Sequence, residues 1–323
     1  MHLVMDRKTV LITGASGFMG RNIAESFLQR PDEYNVLCLK WKRPITYTVV
    51  ADVVSGFDLV DEYEVKLLLA GLKPDIIIHA AATTSGSKDI VERPYLHVTD
   101  NAAMGSFLFR YAHEYGVKHV IFLSCGVMYP SGDKPRREED FNYNIEPAYF
   151  GVGWTKVYLE RMCEFYSRLG RTKFTAIRHS NCFGPHDKYD LERSHMFGAT
   201  VRKVMDAQNG DVITVWGDGT PARDLIHVSE VVRFIDIILD RQDKPFELVN
   251  VGYGKAIRVS EVVSTIIECS GKDLTMEFDV SKPTIPFTLA LDTSRAEAYG
   301  WSRTLTFWEA VKKTIDWYQN VKS

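Results

Sequence analysis

Seven residues near the N-terminus carry the clearest chemical capacity in the chain. Gly14-Ala15-Ser16-Gly17-Phe18-Met19-Gly20 spaces its glycines as GxxGxxG, between an apolar run, Thr9 to Thr13, and a helical pattern from about Met19 to Gln29. Glycines in that setting let the backbone approach a pyrophosphate, and the helix N-terminus adds free N–H groups and the positive end of its dipole. The chemistry is dinucleotide binding; a glycine-rich turn without a ligand is the bland alternative. Farther on, Lys40-Trp41-Lys42-Arg43 closes the second strand pattern. An acidic residue there would take the ribose 2′-hydroxyl of NAD, whereas cations suit the 2′-phosphate of NADP. Lys40, Lys42 and Arg43 therefore favour NADP over NAD, against a reading as a solvated basic turn. Asp58 and Leu59, just before the next helical pattern, are placed to touch the adenine.

These residues need a scaffold that brings strand ends together. Thr9–Thr13, Asn35–Lys40, Asp75–His79 and His119–Ser124 read as strands, nearly continuous in Val, Ile and Leu, and Val98–Tyr115 reads as a helix between the last two. Such strands are buried on both faces, which is the pattern of a parallel sheet, and strand–helix alternation implies right-handed βαβ units. The fold class is α/β, a Rossmann doubly wound parallel sheet. Ser131–Glu146 is polar and contains proline, so it is expected as a loop over a site mouth. Thr306–Val321 is amphipathic and reads as a closing helix.

The chain has 323 residues and a net charge of −3, with 45% hydrophobic and 25% charged residues. That composition supports a large core and carries no electrostatic footprint for nucleic acid or an anionic membrane. No apolar run approaches the roughly 20 residues that span a bilayer. The N-terminus runs directly into a strand pattern, so no signal peptide is expected. Five scattered cysteines without a CxxC pair argue against disulfides and structural zinc, and point to a cytoplasmic setting with no metal.

Taken together, several motifs resemble the extended short-chain dehydrogenase/reductase family that acts on nucleotide sugars, in particular its GDP-L-fucose synthase branch. They are Thr13–Gly20, Ile78–Ala82, Asn101, Ser124–Pro130, Gly153–Lys156, Ser180–Asp187, Ser194-His195-Met196, and Val215–Gly219 with Arg223-Asp224. The resemblance implies a Rossmann domain over 1–178 and about 225–251, and a smaller C-terminal α/β substrate domain over 179–224 and 252–323. It implies that Ala80, Ala81, Ala82, Asn101 and Lys156 join the glycine motif in holding the cofactor. It also implies that Asn181, His195, Lys203, Trp216 and Arg223 meet a nucleotide-diphosphate sugar, GDP-linked by preference, with the Arg223 fork on the diphosphate.

The family's redox site needs a Ser or Thr, a Tyr and a Lys four residues after the Tyr. Lys156 matches the Lys, but Val152 stands at the Tyr position and Cys125 at the Ser position. Valine transfers no proton. Tyr149, seven residues before Lys156, is one substitute, about 10 Å along a continuous helix or nearer if the first turn bends. Tyr129 is a second. The family's epimerase thiol position holds Val127, and Cys125, two residues earlier, is the candidate to replace it beside His195.

Three readings follow: an NADP-dependent C4 keto reductase and/or epimerase; a non-redox epimerase using Cys125 and His195; or a catalytically degenerate dinucleotide-binding regulatory subunit. The segment Ile285–Leu289 lacks the cation that often reaches the nucleotide base in the family. The resemblance also implies a homodimer through the helices carrying Lys156 and Asn101, with Phe107, Leu108, Tyr158, Met162 and Phe165 as candidate contacts.

Overall fold

The computed structural model describes residues 7–41, 45, 52–83, 93–191, 194–282 and 284–322. Seven strands form one sheet: β1 (Lys8–Thr13), β2 (Tyr34–Leu39), β3 (Asp52–Val54), β4 (Ile76–His79), β5 (His119–Cys125), β6 (Lys173–His179) and β10 (Phe246–Val251). Their order is β10-β6-β5-β4-β1-β2-β3, and every neighbouring pair is parallel. The order reverses between β1 and β4, which makes their carboxyl ends the switch point of the doubly wound sheet.

Helices cover both faces, as the all-apolar strands require. On one face α1 (Phe18–Leu28) and α6 (Val228–Arg241) bury Ile23, Phe27 and Phe234 against Val10, Ile12 and Ile121. On the other, α2 (Glu62–Leu72), α3 (Thr99–Glu114) and α4 (Phe150–Arg168) pack on Leu11, Ile77, Val120 and Phe174. The expected elements are present, with ends shifted by a residue or so. The ladder extends to Cys125, one residue beyond the sequence expectation.

The remaining chain makes two small sheets. In one, β7 (Asn181–Phe183) lies parallel to β9 (Ala222–His227), and β11 (Ala256–Arg258) lies antiparallel to β9. In the other, β8 (Val212–Trp216) pairs with β12 (Thr275–Asp279). Helices α5 (Met196–Asp206), α7 (Val259–Ser270) and α9 (Phe307–Lys322) enclose a separate core around Phe197, Val201, Val263 and Val311. The short α8 (Ser294–Ala298) packs on β10.

A fourth cluster joins the halves. Met128, Tyr129, Phe141, Ile145 and Val157 pack against Phe287, Leu289 and Leu291. The stretch expected as a loop over the site is tethered there: Gly132 N donates to Thr288 O (2.9 Å), Arg136 N to Ala290 O (2.9 Å), and Thr288 N to Ser131 Oγ (2.9 Å).

Helix α4 is fixed to the sheet by a buried ion pair. Glu160 receives Arg178 Nη2 at 2.6 Å and Nε at 2.9 Å, with both side chains 1% exposed. Ser124 Oγ donates to the same carboxylate (2.6 Å), and Arg178 Nη1 donates to Tyr129 Oη (2.8 Å), which donates on to Asn250 Oδ1 (2.8 Å). Removing one partner of such a pair strands a desolvated charge, at a cost of about 3–5 kcal/mol. Glu160→Leu is therefore expected to lower unfolding free energy by about that much in urea denaturation. Glu164→Leu, which removes the surface ion pairs to Arg161 and Arg168 on the same helix, is expected to cost under about 1 kcal/mol.

Candidate functional site

At the switch point the glycine turn folds as its sequence dictates. Gly14 has φ +67°, and a Cβ there would lie 2.7 Å from Cα and N of Ala81. Only glycine lets the β1 turn approach the β4 end so closely. Gly17 N donates to Gly14 O (2.8 Å), and a Cβ on Gly20 would meet that same carbonyl at 2.2 Å. Helix α1 starts after Gly17 with no side-chain cap and no acidic residue in its first turn. Its first N–H groups and dipole therefore face the crevice uncancelled, beside Ser16, Phe18 and Met19. Thr13 Oγ1 receives Ala81 N (3.1 Å) and bonds His79 Nδ1 (2.9 Å), fixing Ala80 and Ala81 opposite the turn. Burial pushes the His79 pKa down to about 3, so this imidazole is neutral.

Around this cradle the other proposed cofactor residues fall as follows. Lys40 follows β2, with its N–H on Val54 O (3.0 Å); Lys42 and Arg43 lie outside the described residues. Asp58 turns back on its own loop, accepting from Val60 N (3.1 Å), while Leu59 is buried in the core. Ala82 is exposed at the loop after β4. Asn101 is buried and spends its amide on backbone: it receives Thr83 N (2.8 Å) and donates to Thr83 O (3.1 Å) and His97 O (3.0 Å). It braces the loop after β4 from within.

Three of the catalytic candidates, Lys156, Cys125 and Tyr149, are linked by electrostatic contact: Lys156 with Cys125, and Cys125 with Tyr149. Lys156 Nζ donates to Leu123 O (2.8 Å) and lies 4.7 Å from the Phe122 ring centroid. Desolvation lowers its pKa, with Cys125 and Glu160 opposing. Cys125 ends β5, half-buried. Burial raises its thiol pKa, and Lys156 pulls it back. Tyr149 is the N-cap of α4 (φ −107°, ψ 6°) and the last residue of a 3-10 turn over Pro147–Tyr149, so it lies before the continuous α-helix. Its ring packs edge-on against Phe287 at 5.5 Å, and burial raises its pKa, with Arg223 and Cys125 among its electrostatic neighbours.

Arg223 lies over the same Phe287 ring that Tyr149 packs against, 5.6 Å from its centroid. Its guanidinium donates to Ile285 O (2.9 Å) and Ala222 O (3.1 Å), and burial lowers its pKa. It makes no pair with Asp224, whose carboxylate instead receives the N–H groups of Tyr253 (2.6 Å), Gly254 (2.9 Å) and Leu291 (3.0 Å).

Two hydroxyls near the site are excluded by geometry as substitutes for the missing tyrosine. Tyr129 is fully buried, and its hydroxyl is taken by Arg178 and Asn250, which removes it as a proton donor. Ser124, next to Cys125, points to the opposite face of the strand and into Glu160.

The remaining sugar-side candidates lie farther out. His195 is exposed at the N-cap of α5; the protein around it, then Lys188 and His97, holds its imidazole below the ordinary range. Lys203 Nζ donates to Thr214 O (3.0 Å) and lies 5.9 Å from the Trp216 ring, itself 54% exposed. Asn181 is exposed at the start of β7.

Sequence reasoning missed His179. It pairs in register with Cys125 across β5 and β6, and burial pushes its pKa down to about 4, with Lys156 contributing. The one available signal was that β6 ends level with β5.

A parallel sheet whose switch point opens between a glycine turn and an alanine-lined strand end defines a dinucleotide-binding α/β enzyme. The model of the NAD dependent epimerase/dehydratase family matches residues 10–252, and the chain belongs to that family, as an NAD(P)-dependent enzyme of the extended short-chain dehydrogenase/reductase type. It is 25% identical to GDP-L-colitose synthase of Yersinia pseudotuberculosis over 97% of this chain and 99% of that protein. It is also 25% identical to GDP-L-fucose synthase of Escherichia coli K12, over 97% of each. The UDP-glucose 4-epimerase of Thermus thermophilus, solved with NAD, superposes with a TM-score of 0.81 at 23% identity, covering 96% of this chain and 99% of that one.

The crevice predicts a simple test. Gly14→Ala is expected to weaken dinucleotide binding at least tenfold in calorimetry, because its Cβ must displace the Ala81 backbone.

Proposed function

We propose that this protein is an NADP-dependent C4 keto reductase and/or epimerase acting on a nucleotide-diphosphate-linked 4-keto-deoxy sugar, GDP-linked. The observation that carries the reading is the grouping of Cys125, Tyr149 and Arg223 around the Ile285–Phe287 segment, with Lys156 within electrostatic reach of Cys125. It ends at the Arg223 guanidinium, which, among the described residues, is held by two backbone carbonyls rather than by a carboxylate. A desolvated guanidinium without a counter-ion is a receptor for a diphosphate. The two relatives named for GDP-sugar synthases support the nucleotide.

Bound in the crevice, a nicotinamide dinucleotide supplies hydride to the sugar carbonyl carbon. The glycine turn and the N-terminus of α1 hold its pyrophosphate, and Lys156 holds the nicotinamide ribose. Lys40 with Lys42 and Arg43 selects the 2′-phosphate. Arg223 clamps the substrate diphosphate and, through it, sets the sugar over Cys125. Tyr149 keeps the guanidinium in place and closes the wall with Phe287. His195 serves the epimerisation step as a neutral base, and Trp216, Lys203 and Asn181 line the approach of the nucleotide. Residues 179–224 and 252–323 form the sugar-nucleotide side. The exposed Tyr158 and Phe165 on α4 suit a homodimer face, whereas Leu108 belongs to the monomer core.

Val152 favours one further reading, in which epimerisation proceeds without net redox. Deuterium from solvent at C3 or C5 with no cofactor turnover would mark it.

Two outcomes test the proposal. Absorbance at 340 nm should fall when the protein and NADPH meet a GDP-linked 4-keto-6-deoxyhexose, and faster than with UDP- or dTDP-linked counterparts; no oxidation with any of them defeats the redox reading. Arg223→Met is expected to raise KM for the sugar nucleotide by about tenfold or more, with NADPH affinity unchanged.

A further inference from the structure

Three titratable groups converge at the carboxyl edge of β5 and β6, and the roles above use only two of them. Cys125 and His179 are in-register partners on parallel strands, with backbones about 4.8 Å apart. In-register neighbours project to the same sheet face. The preceding pair shows the alternation: Ser124 and Arg178 both turn to Glu160 on α4, so Cys125 and His179 turn to the other side together. Lys156 lies within electrostatic reach of both.

The tautomer of His179 follows from its neighbours. Nδ1 lies 2.8 Å from Ser180 O, a group that only accepts, so Nδ1 carries the hydrogen. Cys182 Sγ, 3.4 Å from the same nitrogen, faces that hydrogen too. The proton-accepting lone pair is therefore on Nε2, on a ring that is half-buried rather than sealed.

Resting on the proposed reductase reading, we infer that Cys125 and His179 form a proton relay that replaces the tyrosine missing at Val152. When hydride from the reduced nicotinamide dinucleotide adds to the carbonyl carbon, the C=O π pair moves to oxygen. That oxygen takes the proton of Cys125: the S–H bond breaks and an O–H bond forms. The resulting thiolate sits beside the Lys156 ammonium. It is reprotonated from solvent by way of His179 Nε2, which is unprotonated at rest and holds the proton only in transit. The net consumption is one hydride and one solvent proton per ketone. The thiol enters each cycle protonated because burial keeps it so, and the relay restores it. His179 acts through Cys125, so it is a positioning and relay residue.

Thiol chemistry tests the relay independently of turnover. Alkylation of Cys125 by iodoacetamide, followed by peptide mass spectrometry, reports how readily the thiol loses its proton. His179→Asn keeps a donor for Ser180 O but has no titrating nitrogen, and is expected to slow Cys125 alkylation about tenfold. His179→Gly should regain the wild-type rate on addition of imidazole, a comparison made within one folded protein. Equal rates in wild type and His179→Asn, or no recovery with imidazole, overturn the relay. In turnover, His179→Asn should lower kcat by about 100-fold with NADPH affinity preserved. Wild-type NADPH oxidation that survives His179→Asn intact also overturns the relay. Absence of oxidation in the wild type defeats the reductase reading instead, and leaves the alkylation rates to decide between Cys125–His179 coupling and independent side chains.

Discussion

The buried pair of Glu160 and Arg178 organises the candidate site from beneath it. Its three anchoring residues stand next to three groups at the carboxyl edge of β5 and β6. Ser124 precedes Cys125 on β5, Arg178 precedes His179 on β6, and Glu160 follows Lys156 by one turn of α4. Each polar contact made on the helix side of the sheet thus fixes the neighbouring group presented at the crevice edge. A carboxylate in that position is stable only because the guanidinium fork and the seryl hydroxyl satisfy it together. Arg178 in turn reaches Tyr129 and, through it, Asn250, so the same network spans three strands of the sheet.

A second constraint joins the halves of the molecule. The segment 285–291 lies between the loop after β5 and strand β9, with parallel bridges from Arg136 to Leu291 and from Arg223 to Leu289. The carbonyl of Ile285 and the ring of Phe287 hold Arg223 in place. The Arg223 guanidinium is therefore set by a stretch that carries no charged residue of its own at 285–289. To Arg223 the segment contributes a carbonyl and an aromatic face.

The parts of this architecture legible in the sequence are those governed by local pattern. The Val/Ile/Leu strands and the glycine turn announced the parallel sheet, its switch point and the cofactor cradle, because each depends on residues a few positions apart. Lys156 was singled out by its motif, and the fold sets its ammonium on Leu123 O. What was not readable depended on pairing between distant segments. That Tyr129 is consumed by Arg178 and Asn250 requires residues up to 121 positions away. Asp224 abandons its neighbour Arg223 for three backbone N–H groups for the same kind of reason, since the chain near 253 and 291 folds over it. His179 looks like any strand-terminal residue until the β5–β6 register is known, and Leu108 on an amphipathic helix could face a partner or the core until the sheet beneath it is placed.

The Glu160–Arg178 contact also shapes how this chain can vary over generations. A lineage that loses either member alone passes through a protein with a charge sealed away from water, whereas a simultaneous exchange for two well-fitted apolar side chains avoids that state. The two positions, 18 residues apart in sequence, are thereby bound to a common history, and drift in the neighbourhood of the crevice is channelled through paired rather than single replacements.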